Sequence, residues 1–490
     1  MYGPPPDPRQ VALDGSLSGA PLAWLACIAL GGLLAWRAGP LAPHPGRRYL
    51  ALLGLTIALT SPAAGMLAQG WWGDFPTIDK TGSLLFFREG VQWRILDASD
   101  PGLRLIGVHV GHLWPTSLLA LALPEHAAFG AQHLLQLAAA WWAAAGLLEA
   151  LAGDRRVAVI CAAPFALNLH QLRDIKWYTI EKTEIFWISI FAWILVEATH
   201  ATDTPRVRRL AGLAALTLLG ASLTNLYVAM TCAGLGALAL LTRSRTLALV
   251  VGAGALGALP AAVQQLRLLA GPGTLGTPAA FLEARAALDV VEVWPPRWNR
   301  LEAWAVLDPG MVLLAGVGMS LALRRSGAGP SGAAIHGAEG VPSATPPPSR
   351  GVPPSGRSTD LAIVGSASVF FLLSLGPYLD APGGLPNPVY RALLVVPGLW
   401  RIAKPEGFFH VTWLCTLALA ARGLVRVGPT PRRLLLVIAV SLAAWVFLAR
   451  SHPAAPGFSR DVPVALPRDW QRGAFTTPPP TPAPPAPTFP

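Results

Sequence analysis

The placement of charge constrains this chain more than any other feature. Long apolar runs alternate with two kinds of connection, one short and rich in arginine, the other long, acid-containing and aromatic. A run of about twenty apolar residues lets a helix cross the hydrocarbon core of a bilayer, roughly 30 Å thick, at about 1.5 Å of rise per residue. A charged side chain at the bilayer centre is costly, so the connections must lie outside it. The pattern predicts an all-α, polytopic transmembrane protein with two unlike faces. The apolar runs fall at 17–36, 49–68, 112–124, 131–151, 157–169, 185–199, 209–224, 226–241, 246–265, 309–323, 361–377, 407–421 and 434–449. With the short run 112–124 dipping into the bilayer instead of crossing it, about twelve crossings remain, accompanied by interfacial helices.

With both termini placed outside, one set of connections holds Arg37, Arg47 and Arg48; Arg155 and Arg156; Arg206, Arg208 and Arg209; Arg243 and Arg245; Arg324, Arg325, Arg350 and Arg357; and Arg422, Arg426, Arg432 and Arg433. Against these 18 cations stand only Asp154, Asp203, Glu339 and Asp360. The remaining 19 Lys and Arg on the other side are balanced by 20 acids, and all four lysines (Lys80, Lys176, Lys182, Lys404) fall there. The excess positive charge of this +11 chain thus lies on one face, as the positive-inside rule requires of the cytoplasm. That distribution argues for a membrane and against nucleic acid as the partner. Arg37 to Arg48 follow the first apolar run, and the segment before it is nearly neutral, so this run reads as an uncleaved helix with its amino terminus outside. Heavy use of Ala, Gly, Pro and Arg points to a GC-rich bacterial genome, and so to the inner (cytoplasmic) membrane with both termini extracytoplasmic.

The expected organisation is an outer tail at 1–16 and a first membrane part at 17–325 with outer loops 69–111, 170–184 and 266–308. A Gly-, Pro- and Ser-rich cytoplasmic linker, read as disordered, follows at 326–360, then a second membrane part at 361–449 and a Pro-rich outer tail at 450–490. No internal repeat is visible, whereas a transporter built on paired repeats is expected to show one. Cys27, Cys161, Cys232 and Cys415 all lie within apolar runs and read as small packing residues. Gly252-Ala253-Gly254 also lies in an apolar run and reads as helix packing. Nothing resembles a phosphate loop, a dinucleotide fingerprint or a nucleophile elbow, so a soluble nucleotide cofactor is not expected.

Candidate chemistry lies in the outer loops. Gly70-Trp71-Trp72-Gly73-Asp74-Phe75-Pro76 follows a predicted crossing and leads into an amphipathic stretch, Leu84 to Ile95, that suits the outer surface. Trp72 belongs at the membrane–water interface, where an apolar ring and a polar N–H are both accommodated. Asp74, at the mouth of a lipid-facing groove, can act as general base towards an acceptor hydroxyl, or can simply cap the next segment. Asp79 is the second candidate, with an ion pair to Lys80 as the alternative. His109 and His112, three residues apart, would share a helix face, for metal binding or for packing on Trp114. In Arg173-Asp174-Ile175-Lys176-Trp177-Tyr178, Arg173 and Lys176 can grip an anion or sugar hydroxyls, or pair locally on a wet face. Arg401 and Lys404, in Pro397-Gly398-Leu399-Trp400-Arg401-Ile402-Ala403-Lys404-Pro405, precede a predicted crossing. They suit a lipid-linked phosphate, with snorkelling to ordinary headgroups as the alternative.

This layout resembles the GT-C superfamily of integral-membrane glycosyltransferases, which use polyprenyl-phosphate sugars as donors. The resemblance runs over roughly residues 49–449. It rests on Asp74 and Asp79 in a long outer loop, on closely coupled short helices from His133 to Ala201, and on the basic, proline-led segment Pro397 to Phe409 before the closing helices. Bacterial members often show Arg-x-Pro-x-Arg-Phe in that late segment. Here Arg401 is followed by Lys404-Pro405-Glu406, so the second arginine's role would fall to Lys404. The extra run at 17–36 moves the catalytic loop to after the second crossing. The resemblance implies transfer of a sugar from a polyprenyl-phosphate donor to an acceptor on the outer face, within membrane lipids. Asp74 or Asp79 would be the base, and the lipid phosphate would be neutralised by the cations or by a divalent metal. A non-catalytic transporter or flippase of lipid-linked glycans is the alternative. Paired charges inside helices would favour it.

Overall fold

Local punctuation decides where the helices begin and end. The computed structural model describes residues 125–166, 184–269, 309–324, 357–376, 385–394 and 405–440, with single positions at 119, 122 and 379. Among these residues the regular structure is helical, with no β-strand. The helices are α1 (Glu125–Ala152), α2 (Arg155–Ala166), α3 (Phe186–Thr199), α4 (Thr204–Thr224), α5 (Leu226–Leu240), α6 (Arg245–Leu269), α7 (Pro309–Arg324), α8 (Arg357–Ser374), α9 (Pro388–Leu394) and α10 (Pro405–Val427), followed by helical residues 431–440.

Pro309, Pro388 and Pro405 each open a helix, at the position where a missing N–H costs nothing and a fixed φ is already helical. Asp154, Asp203 and Asn225 cap α2, α4 and α5. Asp154 Oδ1 accepts from Arg156 N at 2.8 Å and Val157 N at 3.0 Å; Asp203 Oδ2 accepts from Arg206 N at 3.1 Å; Asn225 Oδ1 accepts from Tyr227 N at 3.0 Å. Each satisfies helix-terminal N–H groups that otherwise have no partner. The two-residue connection between α1 and α2 works because Gly153 adopts φ 76°, which ends one helix, and Asp154 then starts the next.

The segments predicted from hydropathy between 131 and 421 coincide with α1 to α8 and α10, apart from a few residues at their ends. The predicted runs 17–36 and 49–68, and the three outer loops apart from Glu184 and residues 266–269, lie outside the described residues; residues 266–269 form the last turn of α6. One boundary needs correction. Residues 357–360, assigned above to the linker, form the first turn of α8. Asp360, counted above among the acids of that connection, is paired within the fold with two arginines of α10.

The helix α10 is the hub. Phe408, Val411, Trp413, Leu417, Ala420, Ala421 and Leu424 are all buried, so the helix is enclosed on most sides by its neighbours. Ala131–Ala152 of α1 and Gly407–Val427 of α10 are long and apolar enough to cross a membrane, each with a mean hydropathy of 1.5. Elsewhere, large apolar side chains point outward. Leu249, Leu256 and Leu259 of α6 and Leu435 and Leu436 in the last described helix are each more than half exposed.

Close crossings are made by small residues. A Cβ built on Gly423 would lie 2.7 Å from the Leu314 carbonyl oxygen and from Gly318 Cα, so α7 and α10 touch backbone to backbone.

The bundle has two recognisable ends. At one, Arg422 of α10 reaches the last turn of α1 at Leu151, and a single cavity joins Thr199, Thr242, Thr359 and Arg422. The described flanks of the arginine-bearing connections therefore converge, and this is termed the arginine end. At the other, Trp413 Nε1 donates to the Pro164 carbonyl at 3.2 Å, and the Phe370 and Phe408 rings meet at a tilt with centroids 6.0 Å apart. This is the loop end, where the chain leaves α2, enters α3 and enters α10.

Candidate functional site

Trp72, Asp74, Asp79, His109, His112, Arg173, Lys176, Arg401 and Lys404 all lie outside the described residues. What is described is the pair of polar constellations at the two ends of the bundle.

At the arginine end, the helical spacing of Arg422 and Arg426 puts both on one face of α10. Asp360, in the first turn of α8, carries its carboxylate where the helix dipole favours negative charge. Arg422 Nε donates to Asp360 Oδ1 at 2.6 Å, and Arg426 Nη2 donates to Asp360 Oδ2. Each guanidinium also takes a backbone acceptor. Arg422 Nη1 donates to the Leu151 carbonyl at 2.5 Å, in the last turn of α1, and Arg426 Nη1 donates to the Gly318 carbonyl at 2.9 Å. The second contact depends on the glycine crossing of α7 and α10. The three side chains are 6%, 13% and 6% exposed for Arg422, Arg426 and Asp360, and together they tie α1, α7, α8 and α10. Two guanidinium groups share one carboxylate, so the cluster carries a net +1 formally.

Sequence reasoning missed this cluster. Its one visible sign was Asp360, an acid at the edge of an arginine-rich connection. Three other described acids of this end serve the fold. Asp154 and Asp203 are caps, and Glu197, half-buried, accepts from Trp193 Nε1 at 3.3 Å and pairs with Arg206 at 2.5 Å. Arg206 is 39% exposed, so Arg206→Ala is expected to cost less than about 1 kcal/mol in thermal unfolding, against a much larger loss at Asp360.

At the loop end the buried polar side chains include three ionisable groups. His133 of α1 is fully buried, Glu184 just before α3 is 1% exposed, and His410 of α10 is 5% exposed. Glu184 was expected at the end of a charge-dense outer loop, and it packs inside, directly before the apolar start of α3. Asn387 is also buried. Its amide donates to the carbonyls of Leu372 at 2.5 Å and Gly376 at 2.8 Å, fixing α9 to the end of α8. Buried ionisable groups in an apolar bundle are expensive and mark functional positions more often than solvated ones do. Lys404 directly precedes α10, and Lys176 precedes Glu184 by a short segment, so the sequence candidates of this face lead into this end of the bundle. Among the described residues no cluster of three His, Cys, Asp or Glu side chains is placed to hold a metal ion.

No family model, no curated protein and no solved structure matches the chain. Function must therefore be argued from these residues.

Proposed function

We propose that this protein is a polytopic membrane glycosyltransferase of GT-C-like architecture, with about twelve crossings, in the bacterial cytoplasmic membrane. It transfers a sugar from a polyprenyl-phosphate donor to an acceptor at the outer face. Asp74, or Asp79, deprotonates the acceptor hydroxyl as the anomeric carbon is attacked. Arg401 and Lys404 neutralise the departing lipid phosphate. Arg173, Lys176, Trp72, His109 and His112 contribute to binding the sugar and the lipid-linked group.

The observation that supports this reading best is the polarity of the bundle. The arginine-bearing ends converge on one side, while the buried ionisable groups His133, Glu184 and His410 lie at the opposite end. Outward-facing leucines on α6 are compatible with a lipid surround. One observation favours the runner-up, a transporter or flippase of lipid-linked glycans: Asp360, Arg422 and Arg426 form a buried charge cluster inside helices. Its position at a helix end, where it joins four helices through backbone carbonyls, fits a fastening role better than a transport path.

The test is release of polyprenyl phosphate from a panel of polyprenyl-phosphate sugars by purified protein. Wild type is expected to turn over, and Asp74→Asn to lower the rate by about 10²- to 10⁴-fold, the usual loss on removing a general base. Collapse in Asp79→Asn instead would move the base to that residue. Donor binding without turnover in wild type and in every variant would establish the transporter reading.

A further inference from the structure

A cavity of about 510 Å³ opens beside the buried charge cluster at the arginine end. That is the size of a small-ligand site. Its walls are mainly apolar and come from several helices, among them Leu195 of α3, Leu235 of α5, Ile363 of α8 and Leu414 of α10, with hydroxyls added by Thr199, Thr242, Thr359 and Ser366. It exists partly because Ala150, Ala192, Ala239, Ala362 and Ala418 are small where larger residues would fill the gap. The side facing the cluster has a different character. Arg422 lines the cavity, His200 stands at its edge, and no Asp or Glu contributes to the wall.

The charge balance identifies the missing partner. Among the described residues Arg422 and Arg426 share only the Asp360 carboxylate, and an uncompensated charge so deeply buried is unfavourable. Arg422 spends Nε on Asp360 and Nη1 on the Leu151 carbonyl. Its Nη2 has no protein partner among the described residues, and Arg422 faces the cavity. An anion placed there would bring the cluster to neutrality through a charge-assisted hydrogen bond.

We propose that this cavity is a binding site for an anionic lipid of the cytoplasmic leaflet, its hydrocarbon tail between α3, α5, α8 and α10 and its phosphate on Arg422. Mainly apolar walls joined to one cation match that amphiphile better than a sugar or a soluble anion. The site lies at the end opposite the one assigned to chemistry, so the lipid acts on the fastening of α1, α7, α8 and α10 and not as the sugar donor. The inference rests on the chain residing in a membrane, and is independent of the glycosyltransferase assignment.

The test uses the full-length chain, purified in detergent, stripped of lipid and titrated in native mass spectrometry with phosphatidylglycerol, with phosphatidylcholine of the same tails, and with inorganic phosphate. Phosphatidylglycerol is expected to bind about tenfold more tightly than phosphatidylcholine, because the choline cation already compensates the phosphate of the latter and only the former brings net negative charge to Arg422. Arg422→Gln, which leaves Asp360 paired with Arg426, should erase that preference. Ala239→Phe should abolish tight binding of both lipids by filling the cavity, and Ala192→Phe is the equivalent plug from α3 if the first variant does not fold. Equal affinity for the two lipids in wild type, or a preference untouched by Arg422→Gln and a plug variant, would overturn the proposal. Displacement of phosphatidylglycerol by inorganic phosphate alone would overturn it in favour of a simple anion site. A chain found in the soluble fraction of cells would refute membrane residence itself, an outcome distinct from the loss of headgroup selectivity.

Discussion

Replacing Asp360 by alanine is expected to lower stability by about 3–5 kcal/mol, because it strands two guanidinium groups in a buried site. Among the described residues the carboxylate is the one group of opposite charge that either arginine meets; the Leu151 and Gly318 carbonyls supply partial charge alone. The loss should appear as a large drop in apparent unfolding temperature in detergent. Removing the whole cluster should undo much of it, since a buried ion pair exchanged for apolar residues of similar volume is often neutral or stabilising. The triple variant Asp360→Leu, Arg422→Met, Arg426→Met is therefore expected to unfold well above Asp360→Ala. An Asp360→Ala protein as stable as wild type would show that the cluster does not fasten these helices.

The second large effect is expected at the crossing of α7 and α10. Gly423→Leu places a Cβ 2.7 Å from the Leu314 carbonyl oxygen and from Gly318 Cα, and both are backbone atoms that no side-chain rotation can move away. The helices must separate, which breaks packing along the hub helix and pulls Gly318 away from Arg426. A cost of about 3 kcal/mol or more follows, at the upper end of what overpacking causes. Gly316, two residues before Gly318 on the same helix, is the built-in control. A Cβ there meets nothing within 4 Å, so Gly316→Ala should be neutral or raise stability by up to about 1 kcal/mol through helix propensity. Similar losses in Gly316→Ala and Gly423→Leu would mean that general glycine effects, and not the crossing, set the result.

Much of the helical layout was legible because its determinants are local. Pro309, Pro388 and Pro405 announce helix starts, Asp154 and Asp203 announce caps, and hydropathy sets the lengths of the runs between them. The gathering of arginine-bearing connections at one end could be anticipated from charge alone. What escaped were features made by residues distant in sequence. Asp360 meets Arg422 and Arg426 across more than sixty positions, so its isolated appearance beside a Pro-rich segment suggested a linker. Gly318 and Gly423 look like ordinary small residues until the two helices are laid together. Glu184 was grouped with charged neighbours because composition cannot reveal that the chain turns inward at that point. The cavity beside Arg422 is lined by residues from separate helices, none unusual in its own segment. As for the candidate catalytic face, Asp74, Asp79, Arg401 and Lys404 lie outside the described residues, and their roles rest on spacing and on the resemblance.

The proposed topology places the arginine end in the cytoplasm and the loop end outside. Single cysteines introduced into a cysteine-free background test this directly, with a membrane-impermeant maleimide applied to intact cells and to inside-out vesicles. Arg156→Cys, Arg245→Cys and Arg432→Cys sit at exposed positions of the arginine end. They are predicted to label only in inside-out vesicles, while Asp74→Cys, Arg173→Cys and Lys404→Cys label only in intact cells. Labelling of the first set from outside, or a split of either set between the two sides, would contradict the topology and with it the placement of the chemistry.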